Sequence, residues 1–128
     1  MRKYTKIKEH LTNTDIYICY GKESYNLIQK KLNIVNKKEL YKNGFADEIQ
    51  FDSGYVCYIV SVNDNTENIL HIKSTIVHEL SHIVTYIMDR FGFECDEFRS
   101  YLLSYLYEYS IVFIDKLLIK DNNEDNKN

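Results

Sequence analysis

The spacing of apolar residues changes period halfway along this 128-residue chain, and that change constrains the fold more than any other feature. Phe45–Phe51 alternates apolar and polar side chains, and Tyr55–Val62 is rich in β-branched and aromatic residues, as in strands. From Ile69 to Phe91 the apolar residues instead recur every three or four positions, as on one side of an α-helix. Strands early and helices late predict an α+β domain.

Further strand and helix signals lie in the first half of the chain. The run Ile16–Tyr20 predicts a short buried strand that ends at Gly21. A helical stripe follows over Lys22–Asn33. The turn sequence Asp52-Ser53-Gly54 joins the two later strands, so we expect residues 45–62 to form a β-hairpin.

The second half predicts two helices. Gly92 follows the stripe that ends at Phe91, where a helix C-cap belongs. A second helix is expected from about Asp96 to about Lys120. The polar segment Asp121–Asn128 has no apolar residue and is expected to be a disordered tail, so residues 1–120 form a single domain.

Composition narrows the classes of partner. Sixteen Lys and Arg stand against nineteen Asp and Glu, for a net charge of −3, which disfavours a nucleic-acid partner held by phosphate contacts. The apolar stretch Tyr101–Ile119 is interrupted by Glu108, Asp115 and Lys116, so we expect a buried helix rather than a membrane span.

Cysteine usage and the N-terminus bear on the compartment. Three widely spaced cysteines cannot all pair, and Cys19 and Cys57 lie in apolar runs where a thiol packs as a small hydrophobe. No apolar stretch follows the basic N-terminal residues, so a secretory signal is not expected. The pattern predicts a reduced, cytoplasmic setting.

The feature that carries chemistry is His78-Glu79-Leu80-Ser81-His82, an H-E-x-x-H motif inside the first long helix. Positions i and i+4 lie on one helix face a turn apart, so the imidazoles of His78 and His82 can reach one Zn²⁺. Glu79 points to the neighbouring side of the helix, where a general base can reach a water beside the ion. Two ordinary histidines on a helix remain the alternative.

A catalytic zinc ion needs a third protein ligand, and no histidine follows His82. The acids and the thiol near the second helix are the candidates. Glu97 is preferred because it lies one residue from the core position Phe98 on the first turn. Glu94 and Asp96 stay open, whereas Cys95 would give an unusual ligand set for this motif and Glu108 lies three helical turns further on. Glu97 could also be a solvated acid that interacts with the helix dipole.

Two other side chains lie near the expected site. Tyr101 follows Glu97 by one turn, so it could hydrogen-bond the ligand or stabilise an oxyanion, although packing is the common role of tyrosine. His71 lies two turns, about 10.8 Å, before His78, which is too far for the same ion. A strand with a free edge could seat an extended peptide, and Tyr55–Val62 is the candidate unless it is paired on both sides.

The segment HELSH followed by CDEFRSYLLSYL resembles a group of short phage- and prophage-encoded zinc metallopeptidases. The resemblance covers roughly residues 45–108 in layout, and only the two short motifs are specific. It implies a minimal zincin-like domain of the HExxH…E (gluzincin-like) type, with Glu97 as the third ligand. This chain departs from the pattern at Phe98-Arg99-Ser100, where smaller residues are common.

The sequence therefore predicts a zinc-dependent metallopeptidase. His78, His82 and Glu97 would hold Zn²⁺, Glu79 and Tyr101 would serve catalysis, and a peptide or protein would be the substrate. If the chain is phage-encoded, the cytoplasm in question is that of the host. The alternative is a non-catalytic zinc-binding or protein-interaction module of the same fold. Substrate identity and oligomeric state are left open.

Overall fold

The structure, a computed structural model, describes residues 4–34, 44–65 and 68–126. These residues form four strands and three helices, which confirms the predicted α+β class. The strands are β1 (Tyr4–Glu9), β2 (Thr14–Tyr20), β3 (Gly44–Gln50) and β4 (Val56–Val62). The helices are α1 (Lys22–Lys31), α2 (Ile69–Phe91) and α3 (Asp96–Asn126).

The four strands form one mixed sheet in the order β1-β2-β4-β3. The predicted hairpin is confirmed, since β3 pairs antiparallel with β4. β2 pairs parallel with β4, and β1 pairs antiparallel with β2. β4 is therefore paired on both sides, and β1 and β3 are the edge strands.

Each face of the sheet carries its own apolar cluster. One cluster packs β2 and β4 residues such as Ile16 and Val60 against α2 and α3. The other buries Tyr17, Cys19, Cys57 and Ile59 under α1. Cys19 and Cys57 are buried free thiols, as expected from their apolar surroundings, and burial raises the pKa of Cys19 to about 12.

α2 and α3 form an antiparallel pair. Gly92 adopts the left-handed conformation at φ 71° and ends α2 as predicted, because a residue without Cβ reaches that conformation without strain. Arg99 of α3 then contacts Thr85 near the end of α2, at 3.2 Å. Asp115 pairs with Lys73 near the start of α2, at 3.4 Å.

Two boundaries differ from the sequence expectations. β1 was not predicted, because two of its six residues are lysines and only Tyr4 and Ile7 are large apolar side chains. α3 continues through the start of the expected tail to Asn126, since neither glycine nor proline interrupts it. The sequence is polar over residues 36–44 and carries the turn signal Asn43-Gly44. Residues 36–43 of that segment lie outside the described residues, as do 127–128. Within the part that the structure describes, no helix combines the length and apolarity that a membrane crossing needs.

Candidate metal centre

The two motif histidines lie on the outer face of α2. The helix starts at Asn68, whose side-chain oxygen accepts hydrogen bonds from the backbone N–H groups of Leu70 and His71 at 3.1 and 3.2 Å. Its apolar stripe turns inward and is fully buried at positions such as Leu80 and Ile83. His78 and His82 fall outside that stripe, so both rings are exposed.

The imidazoles of His78 and His82 converge on one another. Their Nε2 atoms are 3.3 Å apart, and their ring centroids are 4.9 Å apart with an angle of 83° between the planes. Two nitrogen ligands 2.0–2.1 Å from one tetrahedral ion lie about 3.3–3.4 Å apart. The pair therefore fits zinc, although the same separation also suits a hydrogen bond between the two rings.

Glu79 is buried beside these exposed rings. Its side chain is 10% exposed, against 69% for His78, and its Oε1 lies 4.0 Å from the His78 Nε2. Burial raises the pKa of Glu79 because it disfavours the charged carboxylate, and the nearby His78 and His82 partly offset that effect. The predicted arrangement of a carboxylate beside two imidazoles is thus present.

Two hydroxyl side chains near the motif histidines donate hydrogen bonds to backbone carbonyls of the preceding turn of α2. Ser81 donates to the His78 carbonyl at 2.7 Å, and Thr85 donates to the Ser81 carbonyl at 3.1 Å. Arg99 donates to the Thr85 hydroxyl, so a cation from α3 lies one turn beyond His82. Nothing in the local pattern around Arg99 predicts this contact, because it depends on how α3 packs.

The structure does not join a third ligand to the two histidines. Among the described residues, no group of three or more His, Cys, Asp and Glu side chains is placed to hold a metal ion. Glu97 is exposed on the first turn of α3, and the other candidates Glu94, Cys95, Asp96 and Glu108 are also exposed. The choice of Glu97 stays a prediction.

Tyr101 belongs to a row of aromatic rings on α3. Its ring centroid is 5.9 Å from that of Phe98 and 5.8 Å from that of Tyr105. Tyr105 in turn donates a hydrogen bond to the Lys8 carbonyl of β1 at 2.8 Å. The row therefore extends toward the β1 edge of the sheet, and a catalytic role for Tyr101 stays a prediction.

Among the described strands, the edge strand nearest α2 is β3. The strand proposed from sequence, Tyr55–Val62, corresponds to β4, which is paired on both sides, so the alternative reading of it is the correct one. One face of β3 contacts α2 near both ends of the strand. An added Cβ at Gly44 would meet Thr75, and Glu48 bonds Arg90 at 3.0 Å.

A pocket of about 400 Å³ lies between β3 and the end of α2, lined by Glu48, Tyr86, Asp89 and Arg90. Sequence reasoning missed it. The spacing of four residues from His82 to Tyr86 and on to Arg90 is a signal for one helix face. Nothing local could have pointed to Glu48, which comes from another element.

Comparison of the chain with protein-family models, curated proteins and solved structures found no match.

Proposed function

We propose that this protein is a zinc-dependent peptidase with a minimal zincin-like fold. The observation that carries the proposal is the 3.3 Å separation of the His78 and His82 Nε2 atoms, which matches two ligands of one tetrahedral zinc ion. The buried carboxylate of Glu79 beside them supports hydrolysis rather than storage of the metal. His78 and His82 would hold the ion, with Glu97 as the expected third ligand.

The positions of the side chains give each a role in the proposed hydrolysis. Zinc, when bound, supplies a Lewis acid that activates water and polarises a carbonyl group. Glu79 accepts a proton from the attacking water and later donates it to the leaving amine nitrogen. Among the described residues no strand pairs with the outer side of β3, so an extended peptide could add there and align alongside α2.

Substitutions within α2 test the proposal. We expect Glu79→Gln to retain zinc and to lose peptide cleavage by at least about 100-fold, because the amide cannot act as a base. His78→Ala and His82→Ala should lose both zinc and cleavage. The measurements are zinc content by plasma mass spectrometry and cleavage of a random peptide mixture. His71→Ala, an exposed histidine on the same helix, is the matched control.

The results also separate the proposal from its alternative. Cleavage at the wild-type rate by Glu79→Gln would refute the role of Glu79. Tight zinc binding through His78 and His82 without cleavage of any peptide would favour a non-catalytic zinc-binding or protein-interaction module. Equal zinc content in all variants would mean that the histidines are not ligands.

A further inference from the structure

The pocket lined by Glu48 and Tyr86 begins about one turn of α2 beyond His82. Tyr86, in its wall, follows His82 by four residues, so it lies on the same side of α2 about 6 Å further along the axis. Glu48 of β3 forms the opposite wall, and Asp89 and Arg90 complete the lining. The pocket therefore lies between β3 and the part of α2 that follows His82.

The ionisable side chains that line this pocket, Glu48, Asp89 and Arg90, carry one net negative charge. Arg90 Nη2 donates to Glu48 Oε1 at 3.0 Å, so these two charges neutralise one another. Glu48 also accepts hydrogen bonds from the Tyr58 hydroxyl at 2.8 Å and from Gln50 at 3.0 Å. Asp89 is exposed, and its carboxylate has no hydrogen bond or ion pair with any described residue. One negative charge is thus left for a ligand.

The aromatic ring of Tyr86 lines the same pocket as the Asp89 carboxylate. The Tyr86 ring is stacked over Tyr58, with centroids 6.5 Å apart and planes 14° apart, and it is half-buried. A lysine or arginine side chain can pack its aliphatic stem on such a ring and bring its cation to a carboxylate. An acidic side chain would meet Asp89 with like charge.

The distance along α2 from His82 to Tyr86 fits the side-chain repeat of an extended peptide. A strand advances about 3.3 Å per residue and repeats its side-chain direction every two residues, or about 6.6 Å. That matches the step of about 6 Å from His82 to Tyr86. We propose that this pocket selects a lysine or arginine side chain two residues from the cleaved bond, an inference that rests on the proposed peptidase function.

Cleavage-site profiling tests the selection. The probe is a mixture of synthetic decapeptides randomised at every position, with products sequenced by mass spectrometry. We expect wild-type protein to enrich lysine and arginine two residues from the cleaved bond. Asp89→Asn should reduce that enrichment about two- to fivefold, the range for an accessible ion pair. Asp89→Lys should favour aspartate and glutamate instead. Glu23→Gln removes one charge from α1, on the other face of the sheet, and serves as the control.

Two outcomes would overturn the inference and leave the peptidase in place: cleavage without basic enrichment, or enrichment unchanged in Asp89→Asn. If no peptide is cleaved, a measurement of peptide binding tests the selectivity of the pocket instead. Fluorescence anisotropy then compares a labelled hexapeptide with a central lysine against its norleucine analogue, using zinc-loaded Glu79→Gln protein. Binding about two- to fivefold tighter for lysine, and lost with Asp89→Asn, would support the pocket without hydrolysis. Equal affinities would overturn it.

Discussion

At the scale of single residues, the candidate centre depends on where three neighbouring positions fall around one helix. Successive residues of an α-helix are about 100° apart, so Glu79 turns toward the packed side of α2 while His78 and His82 stay outside it. Exposed imidazoles are accessible to an ion and to substrate. The buried carboxylate is held against one of them, at 4.0 Å. The motif predicts that Glu79 points to a different side of the helix from the histidines, whereas its burial follows from how α2 packs.

The third ligand shows the limit of such local reasoning. Glu97 was preferred because of its place on the first turn after the bend at Gly92. Whether it reaches the imidazoles depends on how α3 crosses α2, and contacts such as Arg99 with Thr85 determine that crossing. These are long-range packing effects that no spacing within the sequence encodes.

A prediction at this scale concerns Gly44, the first residue of β3. A Cβ added there would clash with the Ser61 carbonyl oxygen of β4 and would lie 3.2 Å from Thr75 of α2. Gly44→Ala should therefore lower the free energy of unfolding by about 1–3 kcal/mol, because backbone and helix must move apart. Urea unfolding measures the change. Gly92→Asn is the control, since Gly92 is left-handed with open space around it. A loss no larger than that of the control would contradict the close approach.

At the scale of elements, β3 is joined to α2 by one carboxylate. Glu48 receives hydrogen bonds from Arg90 of α2, from Tyr58 of β4 and from Gln50 of its own strand. Burial alone would raise its pKa, but these donors outweigh that effect and hold the pKa of Glu48 below its ordinary value of 4.5. The Glu48 carboxylate thus links β3 to α2, the helix that carries the H-E-x-x-H motif.

The lowered pKa predicts a dependence of stability on pH. A carboxyl group whose pKa is lower in the folded chain stabilises it fully above its ordinary pKa, and less as pH falls toward the lowered value. The free energy of unfolding should therefore be about 1–2 kcal/mol higher for wild type than for Glu48→Gln at pH 7. The difference should shrink below pH 4.5. Urea unfolding from pH 7 to pH 3 measures it. Asp52→Asn, an exposed acid in the β3–β4 turn, is the matched control. A difference that stays constant with pH would contradict the assignment.

The elements themselves were predictable to different degrees. The hairpin and α2 follow from periods that repeat within one segment, and Asn68 and Gly92 mark the ends of the helix. The parallel pairing of β2 with β4 joins residues about forty positions apart, such as Asp15 and Cys57. Local periodicity contains no information about such a partner, so the strand order and the position of β3 at the edge could not be derived.

At the scale of the whole molecule, the fold does not depend on the candidate centre. The two apolar clusters lie on opposite faces of the sheet, and neither contains His78 or His82. Large buried side chains such as Ile76 and Leu106 connect α2 and α3 within the first cluster. We therefore expect the chain to stay folded without metal, unlike small domains whose core is completed by zinc.

Zinc should nevertheless stabilise the folded chain, because the two imidazoles are held at chelating distance only when α2 is formed. With free zinc at 100 times its Kd, the expected gain is about 2.7 kcal/mol, which raises the thermal midpoint on the order of 10 °C for a domain of this size. A chelator should reverse the shift without unfolding the chain. Calorimetry with and without zinc measures both effects.

The variants assign the ligands within the same measurement. His78→Ala combined with His82→Ala should abolish the zinc-dependent shift, and His71→Ala should leave it intact. If Glu97 is the third ligand, Glu97→Ala should weaken zinc binding at least about tenfold and reduce the shift, whereas Glu94→Ala should not. The fold can rearrange little between these variants, since the substituted side chains are exposed. A shift that survives loss of both imidazoles would place the ion elsewhere and remove the basis of the proposed peptidase.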